Sequence, residues 1–365
     1  NVIGTLNNDD DNGRSLMLSS HIEQSIPVGP LDLWKYDPYG GEIDDGKMYG
    51  RGVANDKAGI ISMIVALDSI LKCNYQLNGD VILISALGGR DLSEGESGGL
   101  LACAANGYQA DAGLYLHPLE VSTGLSEIEI ASMGALHFKI TVKGKQSQSV
   151  QNINDGVNAI NKAFNIINSL NVLNSQRQKR LNFKLMDNTL GYSTSLNISN
   201  IITEHSDYGD VYSDNNSLLH VPDYCEFQGR IIFPPGETWV SVSKEIEMIL
   251  HDCSLNDPWL SSYPPELTLL HYRADPVLVD VNEPIITCVS DRIYELTNVS
   301  PILTGQPIPS DIRFMNLYAN TPTVKIGSLG GNMNDSNEWV DLDDLLNLIK
   351  ITSSIIMEWC GVSSN

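Results

Sequence analysis

Three side chains that could bind a metal ion stand where predicted strands end. His21 closes the run SLMLSSHIE, Asp56 lies at a strand-to-helix turn in YGRGVANDKAG, and His117 closes AGLYLHP. Because α/β sheets place their sites at the carboxyl ends of strands, these three side chains are expected to converge. Two imidazoles and a carboxylate suit zinc or a similar ion. Each of the three is more often structural when it occurs alone, since an aspartate before a helix is usually a cap.

The elements that would position this site alternate between strands and helices. Residues 80–87 and 112–116 are continuous apolar runs, typical of strands in a sheet covered on both faces. Residues 57–73 are apolar nearly all round and predict a buried helix. The runs NVIGTL and SLMLSSHIE are strand-like and are joined by the acidic turn NNDDDNG, which predicts a hairpin. This order of elements predicts an α/β layer structure with a mostly parallel sheet covered by helices.

The pattern changes near residue 131 and returns near residue 278. Between them, ALHFKITVKG and CEFQGRIIF alternate as half-exposed strands, and two segments have apolar residues at helical spacing. The last segment, VDLDDLLNLIKITSSIIMEW, predicts a closing helix with Asp341 as its N-cap. The sequence therefore predicts an α/β domain formed by 1–130 and 278–365, with an α+β domain, 131–277, inserted into it.

Several stretches closely resemble the di-zinc aminoacylase and carboxypeptidase family, which includes acetylornithine deacetylase and succinyl-diaminopimelate desuccinylase. They are WKYDPYGGEIDDGKMYGRGVANDKAG, VKGKQSQSVQNINDGVNAI, PSDIRF and SNEWVDLDDL. The resemblance covers nearly the whole chain but lacks the opening helix and strand of the family. It implies a zinc-peptidase-like α/β domain and an inserted domain that serves as lid and dimerisation domain. A homodimer or larger self-assembly through 131–277 is therefore expected.

The resemblance also implies a mechanism. In the family two zinc ions are bridged by an aspartate and a water, and a glutamate takes the proton of the water that attacks an amide carbonyl. His21 corresponds to a ligand of one metal and Asp56 to the bridge. Glu23 stands where the family has the aspartate that orients the ligand histidine.

Other positions depart from the family pattern. The family has two adjacent glutamates after the third strand, a base and a ligand, but SALGGRDLSEGESGG contains no such pair. Glu94 and Glu96 are the weak candidates for these roles. Gln148 replaces a histidine that corresponds to the oxyanion stabiliser, and an amide offers no positive charge.

The metal ligands depart as well. His117 replaces the acidic ligand of the first metal and could still coordinate. Asn334, in GNMNDSNEWVDL, stands where the family has the histidine of the second metal, and asparagine is a poor zinc ligand. Zero or one zinc ion per chain is therefore expected rather than two.

The substrate side retains the family motif. Ser310, Asp311 and Arg313 match residues near the substrate carboxylate, and arginine suits bidentate carboxylate binding. Pairing of Asp311 with Arg313 in a loop is an equally good interpretation.

Three functions remain open at this point. The favoured hypothesis is a homologue that has lost di-zinc catalysis and serves in binding, assembly or structure. The first alternative is an active deacylase or peptidase with one metal at His21, Asp56 and His117. The second alternative is a protein that binds an acylated amino acid or peptide without cleaving it.

Composition limits the partners. The net charge of −23 argues against nucleic acid and anionic membrane surfaces, both of which need a basic patch. No apolar run reaches the ~18 residues of a membrane span. Six scattered cysteines without a CxxC pair favour free thiols, although secretion with disulfides stays open. The start of the chain is not a signal peptide and lacks Met, so the chain is expected to be processed or incomplete there.

Overall fold

A computed structural model describes residues 1–8, 13–22, 28–87, 99–118, 124–147, 155–186, 193–203 and 221–363. The chain divides into two units. The first comprises Asn1–Ser132 and Val277–Asn365, and the second comprises Met133–Pro276. The second unit is thus inserted between the two parts of the first.

The elements of the described residues are numbered in chain order. The helices are α1 Ala58–Lys72, α2 Gly99–Ala105, α3 Ala159–Arg180, α4 Trp239–Leu255, α5 Pro258–Ser262, α6 Pro284–Thr297, α7 Ile312–Tyr318 and α8 Leu342–Cys360. The strands are β1 Val2–Leu6, β2 Leu16–His21, β3 Ile43–Asp44, β4 Lys47–Tyr49, β5 Gln76–Leu77, β6 Val81–Ala86, β7 Ala112–Leu116, β8 Glu127–Ser132, β9 Gly134–Lys143, β10 Ser195–Ile202, β11 Tyr224–Phe233, β12 Glu266–Ala274, β13 Val277–Leu278, β14 Ile302–Gln306, β15 Thr323–Ile326, β16 Gly330–Gly331, β17 Trp339–Asp341 and β18 Val362–Ser363.

The first unit is organised around an eight-stranded sheet. Its order is β1-β6-β2-β7-β15-β8-β13, and β14 pairs with β8. The pairs β2–β6, β2–β7, β7–β15 and β8–β14 are parallel. The predicted α/β class with a mostly parallel sheet is confirmed. The predicted N-terminal hairpin is wrong, because β1 pairs antiparallel with β6, which then lies between β1 and β2. The apolar strand β6 is paired on both edges when it lies between β1 and β2. This pairing outweighs the preference of the short acidic turn for a hairpin.

Side chains alternate between the two faces of this sheet. Met17, Ile84 and Tyr115 pack in one core with residues of α2 and α7. The opposite faces of β2 and β7 contact α1, which packs against α8. The predicted helix 57–73 is thus present as α1, but only partly buried, since Ile61 and Ile64 are exposed on its outer side.

The second unit is an antiparallel four-stranded sheet with helices. Its order is β10-β11-β9-β12, and α3 and α4 pack on it. Phe138, Phe227, Ile166 and Ile246 are buried in a single core formed by strands and helices. This is the layer pattern expected for an α+β domain.

The closing helix begins as predicted. The Asp341 side chain accepts a hydrogen bond from the Asp344 backbone N–H at 2.9 Å, which confirms the N-cap of α8. All six cysteines are free thiols. Among the helices of the described ranges, none combines the length and apolar character that a bilayer crossing requires.

Candidate metal centre

His21, Asp56 and His117 converge at one edge of the first unit's sheet. His21 is the last residue of β2, and His117 follows β7, its parallel neighbour. Asp56 lies between them in the turn Val53–Lys57, which leads into α1 and whose backbone is not helical at Asn55 and Asp56. One ligand atom from each residue lies within 4.8 Å of the others. The separations from the Asp56 carboxylate are 3.1 Å to His21 Nε2 and 3.6 Å to His117 Nε2. Three donors in this arrangement can hold a single metal ion.

A glycine allows the aspartate to reach this position. Gly59 lies in the first turn of α1, and a Cβ there would stand 2.0 Å from the Leu116 carbonyl oxygen and 2.5 Å from Ser20 Oγ. The helix therefore begins in direct contact with the ends of β2 and β7. Gly327 is similarly close to the backbone that follows β7, since a Cβ there would lie 2.2 Å from the His117 carbonyl oxygen. Small residues are needed at both positions because the backbones touch.

The Asp56 carboxylate is fully buried. Burial raises the pKa of Asp56 well above its usual value, and the His21 backbone N–H and the charge of Lys325 oppose this only in part. Its Oδ2 accepts the His21 backbone N–H at 3.4 Å. Its Oδ1, among the described residues, accepts no hydrogen bond. A buried carboxylate oxygen facing two imidazoles is a natural ligand for a cation, which would keep the carboxylate ionised.

His117 is held in a tautomer that suits coordination. Its Nδ1 lies 2.7 Å from the Pro118 carbonyl oxygen, so Nδ1 carries the proton and donates it there. Nε2 then keeps its lone pair and faces Asp56. The Tyr115 ring stacks on the imidazole with a centroid distance of 5.2 Å, which restricts its rotation.

Glu338 supports the turn that carries Asp56, and the sequence analysis did not single it out. Its buried carboxylate accepts backbone N–H groups of Gly52, Ala54 and Asn55 at 2.9, 3.1 and 2.9 Å. The available signal was an acidic residue directly before Trp339 and Val340, where a buried charge needs a partner.

Lys325, in strand β15, was also missed. Its ammonium group, 1% exposed, lies 3.0 Å from Glu129 Oε2 and 3.1 Å from Gln306 Oε1. Lys325 of β15 is therefore paired with Glu129 of β8 and hydrogen-bonded to Gln306 of β14, and it lies close enough to the candidate ligands to lower the pKa of Asp56.

The predicted substrate residues lie at the start of α7. Arg313 is buried. Its Nη1 lies 3.7 Å from Asp311 Oδ1 and donates a hydrogen bond to the Ser310 carbonyl oxygen at 3.3 Å. Its guanidinium also stacks 4.1 Å from the Phe314 ring centroid. Pairing of Asp311 with Arg313 is therefore observed, while contact with a substrate carboxylate stays a prediction.

Of the remaining predicted residues, Asn334 is the one that falls within the described ranges. Asn334 lies half-exposed in the turn between β16 and β17, in the left-handed backbone region with φ 65°. Glu23, Glu94, Glu96 and Gln148 lie outside the described residues. Their predicted roles as orienting residue, base or ligand, and oxyanion position stay predictions.

Comparisons with known proteins identify the family of this chain. Residues 17–358 match the sequence model of peptidase family M20/M25/M40. The N-formyl-4-amino-5-aminomethyl-2-methylpyrimidine deformylase of Halalkalibacterium halodurans is 24% identical over 370 residues, which cover 95% of this chain and 79% of that protein. The succinyl-diaminopimelate desuccinylase 1 of Alteromonas mediterranea is 27% identical over 339 residues, which cover 91% of this chain and 79% of that protein.

A solved structure shares the fold. Aminopeptidase PepT from Bacillus cereus superimposes with a TM-score of 0.68 at 17% sequence identity, covering 98% of this chain and 83% of that one. The resemblance and the fold predicted from the sequence are thus confirmed. The relatives named here are hydrolases of different substrates, so they do not single out one substrate.

Proposed function

The chain belongs to peptidase family M20/M25/M40, and from that membership and the three converging ligands we propose that it is a metal-dependent amidohydrolase. It would cleave an amide bond of an acylated amino group or a peptide. The observation that carries the proposal is the buried cluster of His21, Asp56 and His117, whose ligand atoms lie within 4.8 Å of one another.

The three residues fit a zinc ion by their chemistry. Neutral imidazole nitrogen and carboxylate oxygen are ordinary zinc ligands, and the buried Oδ1 of Asp56 lacks a hydrogen-bond donor among the described residues. A zinc ion held here would supply Lewis acidity toward an amide carbonyl oxygen. We propose one ion per chain, because Asn334 replaces the histidine that the family resemblance implies for a second.

Each ligand has a separate task in this proposal. Asp56 supplies the negative charge and stands between the two imidazoles. His117 offers Nε2 because its Nδ1–H is engaged by Pro118. Glu94 and Glu96 are the proposed candidates for the base that takes a proton from water, and Ser310, Asp311 and Arg313 for contacts with a substrate carboxylate.

The rival hypothesis is a homologue without catalysis. It depends on the missing glutamate pair, on Gln148 and on Asn334, whereas the buried group of His21, Asp56 and His117 supports the enzyme. A non-hydrolytic binder of acyl amino acids is the other rival. Both predict a folded protein without turnover, so the same experiment separates them from the enzyme.

The test combines metal content with turnover. Natively purified protein, supplied with zinc, is assayed for zinc per chain and for hydrolysis of N-formyl, N-acetyl and N-succinyl amino acids and of di- and tripeptides. We expect one zinc per chain and turnover of at least one class, with both lost in His117→Ala. The matched control His251→Gln, at an exposed histidine of the second unit, keeps both.

Each other outcome rejects a part of the proposal. Two zinc ions per chain would reject the single-metal site. No zinc and no turnover would favour the structural role. Thermal stabilisation by acyl amino acids without turnover would favour the non-hydrolytic binder.

Self-association through the second unit completes the proposal. Among the described residues, strand β10 pairs only with β11, and it carries the exposed side chains of Ile201 and Ile202, so its other edge is suited to pairing with another copy. We expect light scattering to give the mass of a homodimer or a larger assembly. Ile201→Lys should shift this mass toward the monomer, whereas Ile64→Lys on α1 should not. A monomeric wild-type protein would contradict this part.

A further inference from the structure

The carboxylate of Glu338 lies against the backbone of the turn that precedes Asp56. Glu338 Oε2 accepts the N–H of Gly52 at 2.9 Å. Its Oε1 accepts the N–H groups of Ala54 at 3.1 Å and Asn55 at 2.9 Å. The Glu338 carboxylate thus binds three of the four residues that precede Asp56. One of them, Asn55, is directly adjacent to Asp56 in sequence.

The segment around Glu338 packs along the same turn. The Gly50 N–H donates to the Glu338 carbonyl oxygen at 3.0 Å, and β17, which follows Glu338, pairs antiparallel with β4, which precedes Gly50. Gly330, at the start of this segment, is so close that a Cβ would lie 2.8 Å from Ala54 Cβ. The turn is therefore held from a segment nearly three hundred residues away in sequence.

The surroundings of the Glu338 carboxylate suit an ionised group that accepts several hydrogen bonds. Glu338 is fully buried, and its nearest cation is Arg51, whose Nη1 lies 3.7 Å from Oε2. Burial raises the pKa of Glu338, while the three backbone N–H groups and Arg51 act in the opposite direction. Hydrogen bonds from N–H groups to a buried carboxylate are stronger than neutral ones.

We propose that Glu338 is a positioning residue for metal binding, which fixes residues 52–55 so that the Asp56 carboxylate meets His21 and His117. The inference rests on the proposed function, because it takes zinc as the ion that the three ligands hold. Within the described part of the chain, the Glu338 side chain contacts Arg51 and the backbone N–H groups of residues 52–55 rather than the three ligands, so its effect is transmitted by the backbone of the turn. Losing an outer partner of a metal ligand typically costs 10–100-fold in metal affinity.

The main experiment is a zinc competition titration of Glu338→Gln with a chromophoric chelator. The amide keeps the shape of the side chain, but its NH₂ faces backbone N–H groups that need an acceptor. We expect zinc affinity to fall about 10–100-fold. Turnover at saturating zinc should return close to that of the wild type, because Glu338 does not touch the reacting atoms.

The matched control is Asp257→Asn. Asp257 also accepts two backbone N–H groups, those of Trp259 and Leu260, and pairs with Lys162, but it lies in the second unit. The same carboxylate-to-amide change there should leave zinc affinity within twofold of the wild type. Glu338→Asp, which keeps the charge on a shorter side chain, should give an intermediate loss.

Hydrogen exchange supplies a readout that the wild-type protein gives even without a variant. In the folded metal-free wild type, the amides of Gly52, Ala54 and Asn55 should exchange slowly, and in Glu338→Gln they should exchange at least tenfold faster. Exchange of these amides in the wild type at the rate of an exposed loop would overturn the proposal even if neither variant folded.

The remaining outcomes distinguish the two claims. A Glu338→Gln protein that melts earlier but binds zinc as tightly as the wild type would show a structural role and overturn the inference. A wild type that binds no zinc would overturn the proposed function instead. In that case, slow exchange of the amides in 52–55 would still show that Glu338 holds the turn, but the absence of zinc binding would remove the link between this role and metal.

Discussion

Each of the two units buries a charged cluster, and the two clusters are balanced in different ways. In the second unit, Arg177 is fully buried and donates to the carboxylates of Glu237 and Glu245, and its Nε donates to Thr194 Oγ1 at 3.3 Å. In the first unit, the fully buried Asp56 faces two imidazoles and no arginine or lysine is paired with it among the described residues.

The difference separates a structural cluster from a ligand site. The guanidinium of Arg177 has its partners within the chain, so nothing further is needed to stabilise its charge. Among the described residues, the side chains in direct contact with the Asp56 carboxylate are histidines, which are neutral when they act as ligands, so a cation from outside would complete the cluster. Burial of a charged group therefore does not by itself indicate a metal site. The indication is a buried carboxylate that is not paired with an arginine or a lysine.

The largest effect is expected from Asp56→Asn. Metal catalysis supplies several kcal/mol to the transition state, and about 4 kcal/mol corresponds to about 10³-fold in rate. We expect zinc binding to be lost and kcat/KM to fall by about that factor. The melting temperature of the metal-free protein should not fall, because the change removes a buried charge that lacks a charged partner. A marked drop in that temperature would show that Asp56 is structural, like Arg177.

Arg177→Met tests the other cluster. The change leaves Glu237 and Glu245 without their central cation and should destabilise the second unit by about 3 kcal/mol, the lower end for a broken buried pair, because both carboxylates are partly exposed. Thermal unfolding followed by Trp239 and Trp259 fluorescence measures it. Zinc affinity of the folded protein should be unchanged. A loss of zinc affinity would mean that the two clusters are coupled.

Gly59→Ala tests the position of the Asp56 carboxylate separately from its charge, because the change should move Asp56 without altering its side chain. The new Cβ would collide with the Leu116 carbonyl oxygen and Ser20 Oγ, so the start of α1 must shift. Overpacking of this kind costs about 1–3 kcal/mol, and zinc affinity should fall because Asp56 moves with the turn. Gly4→Ala is the control, since a Cβ there meets nothing within 4 Å. Unchanged zinc affinity in Gly59→Ala would argue against the close contact as the positioning device.

The sequence predicted the layer order and three converging ligands because both follow from local patterns. Continuous apolar runs indicated strands buried on both faces, His21 and His117 each close a predicted strand, and Asp56 stands at a predicted strand-to-helix turn. The N-terminal hairpin was wrong because strand partners are chosen by the whole sheet, and β6 takes the place beside both β1 and β2.

Glu338 and Lys325 could not be recognised in the same way. Each has partners that are distant in sequence: Glu338 binds residues 52–55, and Lys325 binds Glu129 and Gln306. A charge inside an apolar segment signals that a partner exists but does not say where. Only the packing of β17 on β4 and of β15 beside β8 brings these partners together.

The smallest predicted effect concerns acid stability of the second unit. Burial acts to raise the pKa of Asp257, but the hydrogen bond from Lys162 and those from the Leu260 and Trp259 N–H groups outweigh it, so the pKa lies below 3.8. A carboxyl whose folded pKa is lowered contributes stability that is present above its unfolded pKa and is lost as the pH falls through the folded value. Asp257→Asn should therefore lose less than ~1 kcal/mol near neutral pH. The difference in melting temperature from the wild type should then narrow as the pH falls below about 4. Lys162→Gln, which removes the main hydrogen bond to Asp257, should show the same narrowing, whereas a difference that is constant between pH 3 and 6 would contradict the role of this pair.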